Sequence, residues 1–527
     1  MKLSISDLKN PSDVGAVEFP CFDVAAMQKA GRERPRWLHI GPGNLFRVFP
    51  ARVAHDIVSA GEHWPVTAVV PLNPAEADIQ LTAHDLMTLS VTLNTDGTRD
   101  QRVIAGISEV LATARAEDFQ RFIEVGKQAS VTMLSMTITE KGYAIHTSGG
   151  ELSEAVKEAI ASNPRAHQGH TMALVATMLL HRFEAGGAPI TLLSFDNFSH
   201  NGDKLRDSVL TIAKGWKAAG SVGADFVTWL SDDTCVAFPV SVIDKITPRP
   251  NACIAADLAA AGWEDMQIDT SLRTPLAGFV NTEAPEYLLI EDRFAAERAP
   301  LEDHGVAIVP RQVCDDFERM KVTTCLNPLH TALAVSGCLL RKPTIDACMA
   351  DDSLRKMVQR LGWDEAMPVV VNPGVVDPKD FLREVLEKRF PNRYLPDDPA
   401  RIAMDTSQKI PIRFGETIKS YLDQGRDLND LQVIALIFAL WARYLKGTAD
   451  DGEPLELSPD PLAEELAAHL QADDPHEALR PLLSNPAIFG VNLYETPLAA
   501  RVEELYARML QGPGAVRATI DEEMNNK

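Results

Sequence analysis

Trp37-Leu38-His39-Ile40-Gly41-Pro42-Gly43-Asn44-Leu45-Phe46 reads as a short apolar strand that runs straight into a glycine turn. Arg47 to Ala60 continues with helical spacing, and Val66 to Val70 supplies a second apolar strand. Strand, glycine turn, helix and strand within roughly thirty residues is the size of one βαβ unit. Gly41 permits a tight turn and Gly43 lets the backbone approach a ligand closely. A pyrophosphate there would rest on amide groups at the positive end of the following helix. Phe46 stands where a third glycine would complete the dinucleotide fingerprint. The candidate cofactor contacts on this turn are Gly41, Gly43, Asn44, Leu45, Phe46 and Arg47. On the glycine triplet alone, an ordinary strand-to-helix turn is the competing reading.

Working outward, Val131 to Thr139 is a strand candidate ending in Glu140-Lys141-Gly142-Tyr143, and Ile190 to Leu193 is another, ending in Ser194-Phe195-Asp196-Asn197. A helical pattern, Thr171 to Arg182, lies between them. Alternating strands and helices predict a largely parallel sheet whose ligands sit beyond the carboxyl ends of the strands. All three polar turns fall at that edge, which adds Glu140 and Asn197 to the candidate cofactor contacts. An acidic residue about twenty positions after the glycines would hold the adenosine ribose hydroxyls. Here the second strand runs into Pro71-Leu72-Asn73, with Glu76 and Asp78 slightly later, which favours NAD and leaves NADP open.

From about Arg311 onward long helical patterns dominate: Leu329 to Leu340, Lys379 to Lys388, Ile410 to Leu422, Leu431 to Leu445 and Leu462 to Leu470. Pro300 and Pro310 flank an acidic stretch at the join. The expected organisation of the 527 residues is therefore an α/β dinucleotide-binding domain over 1–308 and a mainly α-helical substrate domain over 309–527. A formal charge of -23 opposes nucleic acid and anionic membrane as partners. The seven cysteines form no Cys-x-x-Cys pair. The first residues lack the apolar core of a secretion signal, and the longest apolar run, Val433 to Ala442, is too short to span a bilayer. A reduced cytoplasmic protein, monomeric or a small homo-oligomer, is expected.

Glu318-Arg319-Met320-Lys321-Val322-Thr323-Thr324-Cys325-Leu326-Asn327-Pro328-Leu329-His330 packs an ammonium, a carboxamide and an imidazole among apolar residues. A lysine in such a surround has its charged form disfavoured, which brings it toward the range useful for accepting an alcohol proton. A solvated Lys321 and a core His330 are the bland alternative. Arg401 and Lys409, if on one helix, would lie within about 80° and roughly 12 Å of each other, placed to flank an oxygen-rich substrate or simply to decorate a solvated face. Asp196-Asn197-Phe198-Ser199-His200-Asn201-Gly202 reads on its own as a turn capping the next helix. Asp244-Lys245-Ile246-Thr247-Pro248 reads as a strand end and turn. His167 and His170 are the only close histidine pair and have no nearby group to complete a zinc set, so no metal is expected. No Gly-x-Ser-x-Gly elbow or Walker loop is present.

Together these segments resemble the polyol-specific long-chain dehydrogenases, the family of mannitol 2-dehydrogenase, fructuronate reductase (mannonate oxidoreductase) and tagaturonate reductase. The resemblance runs in order through His39 to Gly43, Thr137 to Tyr143, Ser194 to Asn197, Asn201-Gly202, Asp244 to Pro248, Met320-Lys321, Asn327, His330 and Arg401 to Lys409. It implies a Rossmann-type N-terminal domain, a helical C-terminal domain and zinc-independent NAD(P) chemistry on a sugar acid or polyol. It further implies Lys321 as general acid/base, Asn197 and Asn327 as amides on the reacting oxygen, and His330 as an orienting group. Glu318 would lie on a proton path, and Asp244, Arg401 and Lys409 would touch other substrate oxygens. D-mannonate with D-fructuronate is the expected pair, with mannitol/fructose and tagaturonate as alternatives; a catalytically silent nucleotide-binding protein is the rival class. The family has one residue fewer between the lysine and the asparagine. An unbroken helix would set Lys321 and Asn327 about 120° apart, so a bulge or break is expected there. Pro328 gives a cause for one, in which case Asn327 would serve as a helix cap.

Overall fold

The computed structural model describes residues 1–9, 13–147, 149–472 and 474–525. The chain separates into two compact units, Met1–Cys314 and Asp315–Lys527.

The N-terminal unit is built on six parallel strands: β1 (Trp37–Ile40), β2 (Val66–Val70), β3 (Ile107–Ala112), β4 (Met133–Met136), β5 (Ile190–Ser194) and β6 (Val236–Ala237). Their spatial order is β3-β2-β1-β4-β5-β6, so the direction of winding reverses between β1 and β4. That is the dinucleotide-binding order, with its ligand crevice at the reversal. β1, β2, β4 and β5 are buried along their whole length, which is why their sequences are predominantly apolar, interrupted only by buried polar residues such as His39, Thr67, Ser135 and Thr191. Helices Ala116–Lys127, Thr171–Glu184 and Asn201–Ala218 pack on one side, and Pro50–Ser59 lies in the core on the other.

The helix expected over Arg47 to Ala60 is two helices, Asn44–Val48 and Pro50–Ser59, broken at Phe49. Pro50 gives the reason: it lacks an amide donor and fits a first helical turn. Two smaller sheets, which sequence reasoning did not single out, complete the unit. One pairs Val17–Glu18, Arg99–Ile104, Thr88–Leu93 and Phe279–Thr282; the other pairs Ser241–Asp244, Tyr287–Glu291 and Ala307–Val309.

The C-terminal unit carries helices and no named strand among the described residues. The apolar run at Val433 is one turn-to-turn buried helix, Gln432–Tyr444. Among the described residues four of the unit's segments widen into π-turns: Lys321–Cys325, Leu361–Ala366, Val385–Arg389 and Pro411–Gly415. A π-turn accommodates one extra residue in a helix and is common at functional sites. Among the described residues no helix is long and apolar enough to cross a membrane.

Candidate active site

At the carboxyl ends of β1, β2, β4 and β5 the N-terminal unit has a cleft of about 860 Å³. Gly41, Gly43, Asn44 and Leu45 line it. Gly41 has φ +83°, and a Cβ there would sit 2.4 Å from the Thr137 carbonyl oxygen, so only glycine fits. At Gly43 the opposite holds: an added Cβ would meet no protein atom within 4 Å. The absent side chain there leaves room in the cleft itself. Gln80 lines the same cleft, is 3% exposed, and its Oε1 has no hydrogen-bond partner. A buried amide oxygen without a partner is costly unless a ligand completes it. The open approach at Gly43 and this orphaned oxygen fit a polar, flat-sided ligand such as a dinucleotide.

Phe46 and Arg47 turn away from the cleft. Phe46 is fully buried and stacks on His39 of β1, ring centroids 3.8 Å apart. Arg47 is fully buried, donates to the Ala277 carbonyl and to Asn44 Oδ1 at 2.9 Å each, and burial lowers it to about 9. On the β4 turn, Thr139, Lys141 and Gly142 line the cleft, whereas Glu140 is exposed and outside that lining. Thr139 adopts φ +64°. Asp196, at the end of β5, holds this turn by accepting from the Ile138 and Thr139 amides at 2.9 Å each and from the Tyr143 hydroxyl at 2.6 Å. Burial raises the Asp196 carboxyl, an effect its three donors oppose. Asn197 follows on the exposed bend.

The turn reading of Asp196 to Gly202 as a side-chain helix cap needs correction. The residue before helix Asn201–Ala218 is His200, in the left-handed region, with no side-chain cap. Asn201 Nδ2 instead ties together the Ser194, Asp196 and Ser241 carbonyls, and a Cβ on Gly202 would lie 2.3 Å from the Pro239 carbonyl oxygen. Asp244 is buried at the end of Ser241–Asp244. His167 sits edge-on to Phe119 and His170 bonds the Ala144 carbonyl; no cluster of three metal-ligating side chains occurs among the described residues.

In the C-terminal unit Lys321 is 2% exposed and begins the π-turn that follows helix Arg311–Met320. The extra residue before Asn327 is absorbed there. The Leu326 amide bonds the Lys321 carbonyl at 3.1 Å across five residues, and Leu326 then breaks the helix at φ -130°, ψ -64°. The turn is held by side chains: Thr323 donates to the Arg319 carbonyl, and Thr417 to the Thr323 carbonyl. Helix Asn327–Leu339 starts afresh with Pro328 in its first turn. Asn327 is not its cap. The cap position is Leu326 and no side chain bonds there, so the half-buried Asn327 carboxamide is left for another role. Glu318 lies half-buried one turn before Lys321.

His330 stands one turn into the restarted helix, its Nε2 3.6 Å from Asp397 and its ring against Phe390. Burial, with Asp397 opposing, holds the imidazole well below its usual range and therefore neutral. Arg401 forks onto the same Asp397, with contacts of 2.6 to 2.9 Å. The supposition that Arg401 and Lys409 share one helix is overturned. Helix Pro399–Ile402 ends, Asp405 turns at φ +52°, and Thr406–Ile410 is a separate helix. Lys409 Nζ reaches back to the Ile402 and Met404 carbonyls across that turn, and burial lowers it to about 8.

Sequence reasoning missed Asp397 and Arg413. Arg413, on the π-turn Pro411–Gly415, bonds Thr331 Oγ1 at 2.6 Å and approaches the Asn327 carbonyl at 3.4 Å, which braces the start of the Asn327 helix. Its signal was the Lys409-Ile410-Pro411-Ile412-Arg413 run, where a proline inside a helical pattern marks a disturbed turn.

A parallel sheet in this order with an open glycine turn at its switch point is the architecture of a dinucleotide-binding protein. The mannitol dehydrogenase Rossmann domain matches residues 35–302, and the mannitol dehydrogenase C-terminal domain matches 314–510. The chain belongs to the mannitol dehydrogenase family. It is 44% identical over 515 residues to the D-mannonate oxidoreductase of Thermotoga maritima, covering 95% of each chain. It also superposes on a substrate-free D-sorbitol dehydrogenase (TM-score 0.82, 26% identity, 97% of this chain and 98% of that one). A third likeness is to Pseudomonas fluorescens mannitol 2-dehydrogenase in a ternary complex with NAD and D-mannitol (TM-score 0.73, 25% identity, 100% of each chain).

Proposed function

We propose that this protein interconverts D-mannonate and D-fructuronate with NAD, using Lys321 as acid/base and no metal. The observation that carries the reading is Lys321 itself: a lysine side chain 2% exposed, placed at the start of a π-turn. The substrate follows from the likeness to D-mannonate oxidoreductase and the cofactor from the NAD complex of the mannitol 2-dehydrogenase.

Residues 1–308 form the nucleotide domain and 309–527 the substrate domain in this reading. Gly41, Gly43, Asn44 and Leu45 would hold the dinucleotide on the cleft they line. Bound there, NAD supplies the redox partner for the carbinol carbon. In oxidation, neutral Lys321 takes the hydroxyl proton; in reduction its ammonium returns one to the carbonyl oxygen. Asn197 and Asn327 donate their amides to that oxygen, where charge develops. His330, neutral and braced by Asp397, orients a substrate hydroxyl, while Asp244, Arg401 and Lys409 meet other substrate oxygens. Glu318, half-buried one turn before Lys321, relays the proton onward.

The test is a screen of NADH oxidation against D-fructuronate, D-tagaturonate and D-fructose, before and after exhaustive chelation. Fructuronate should give the highest kcat/KM, unchanged by chelator. No turnover of any of the three would leave a silent nucleotide-binding protein as the better reading, and loss that zinc restores would overturn the metal-free mechanism.

A further inference from the structure

The cleft that holds Gly41 and Gly43 is bounded by two arginines, and the geometry points to Arg249 and Arg273 as a clamp for a phosphate group of the bound dinucleotide. This inference rests on the oxidoreductase reading and adds to it which side chains take the anion.

The first observation is pairing. Of the arginines between Met1 and Cys314, only Arg34, Arg249 and Arg273 make no side-chain hydrogen bond or ion pair among the described residues. Two of these three, Arg249 and Arg273, line the cleft.

The second observation is how their segments are held. Arg273 lies in the turn of a hairpin pinned at its base, where the Asp269 and Leu276 backbones exchange hydrogen bonds of 2.7 and 2.9 Å. The next residue, Ala277, accepts from Arg47 at 2.9 Å. Pro248, which precedes Arg249, accepts from Asn44 Nδ2 at 3.0 Å. Arg47 and Asn44 are bonded to each other at 2.9 Å. Both arginine-bearing segments are therefore fastened to the one short helix, Asn44–Val48, that follows the glycine turn. Arg47 thus acts as an anchor, its charge used on the framework, while Arg249 and Arg273 present exposed guanidinium groups on the same cleft.

A third observation concerns the end of β2. There the cleft is lined by Asn73, whose side-chain oxygen caps the Ala75 amide at 3.2 Å, and by the carboxylate-bearing Glu76. The orphaned Gln80 oxygen lies on the same cleft. A planar, five-donor guanidinium matches phosphate oxygens in pairs, and two of them offset the acidic surround for a polyanionic ligand. The phosphate is either the pyrophosphate common to both dinucleotides or the 2′-phosphate of NADP.

The experiment titrates NADH and NADPH by fluorescence into the full-length protein and its R273A and R249A variants, with R34A as control. Each cleft variant should weaken binding by about tenfold or more, as expected for a lost hydrogen bond to a charged group. R34A should match the wild type, and thermal melting should be unchanged throughout. Weakening of both dinucleotides assigns the pyrophosphate; weakening of NADPH alone assigns the 2′-phosphate. Unchanged affinity for both in R273A and R249A overturns the clamp. A wild-type protein that binds neither dinucleotide overturns the oxidoreductase reading and the clamp with it.

Discussion

The two units meet the demands of a reaction in opposite ways. The N-terminal unit is organised on one regular sheet, six parallel strands in the 3-2-1-4-5-6 order among the described residues, with the turns at its carboxyl edge lining the cleft. The C-terminal unit is irregular inside its helices, with four π-turns among the described residues. Three of these carry buried or half-buried ionisable side chains in addition to Lys321: Glu365, Arg389 and Arg413. Glu365 shows the pattern clearly, since its carboxylate accepts from the Val433 and Ile434 amides while burial pushes it up to about 8. A sheet edge brings backbone amides to a ligand at no cost to the core. A helical unit has no such edge; widening a turn by one residue re-aims a side chain, inside a continuing helix at Pro411–Gly415 and just ahead of the break at Leu326 for Lys321.

The comparison is broken most severely by overfilling the π-turn. Inserting one alanine after Val322 adds a residue beyond the one the turn already absorbs and should swing Lys321 by about 100° relative to Asn327. Turnover should fall on the order of 10²-fold or more, as misplacement of a reacting group does. NADH affinity should be unchanged. Deleting Val322, which restores the family's spacing, should cost far less. An insertion variant with wild-type rates would show that the π-turn does not set the aim of Lys321.

The glycine turn gives the matching cut in the other unit. Gly41→Ala meets the Thr137 carbonyl and a φ of +83°, and should cost about 1–3 kcal/mol in melting experiments. Gly43→Ala meets no protein atom, so it should leave melting alone and weaken NADH binding roughly tenfold. If Gly43→Ala binds normally, the open space at that turn is not where the ligand passes.

How much of this was legible in the sequence differs between the units for the same reason. Four of the six strands are written in apolar runs that end at Ile40, Val70 and near Met136 and Ser194, so the ligand edge was legible, although the run expected to reach Thr139 ends at Met136 and the strands Ile107–Ala112 and Val236–Ala237 were not singled out. Phe46 and Arg47 could not be separated from their neighbours, because burial depends on partners such as His39 and Ala277 that are distant or on another strand. A π-turn has the composition of an α-helix. The one at Lys321 was visible only as one residue too many before Asn327-Pro328. Those at Leu361 and Val385 left no mark, and Asp397, which holds both His330 and Arg401, looked like one acid among many.

The smallest predicted effect is a pH dependence. Lys409, lowered to about 8 by burial, is cationic at pH 7 and largely neutral at pH 9. If it meets the substrate carboxylate, KM for D-mannonate should rise several-fold through that window, with kcat little changed. D-mannitol, which has no carboxylate, should show no such rise. The sign for stability is separate. Unfolded Lys409 binds its proton more tightly than the folded form, so folding should become slightly more favourable as pH rises through 8 toward 10. A KM for mannonate that is flat with pH removes Lys409 from carboxylate recognition and leaves it as the brace across the Asp405 turn.

The central claim is that the buried lysine of the π-turn moves the proton, and Lys321→Ala tests it most directly, with turnover and NADH binding measured on the same preparation. The account predicts turnover lowered at least about 10²- to 10⁴-fold, with NADH affinity within about twofold of wild type. Near-normal turnover in that variant would contradict it.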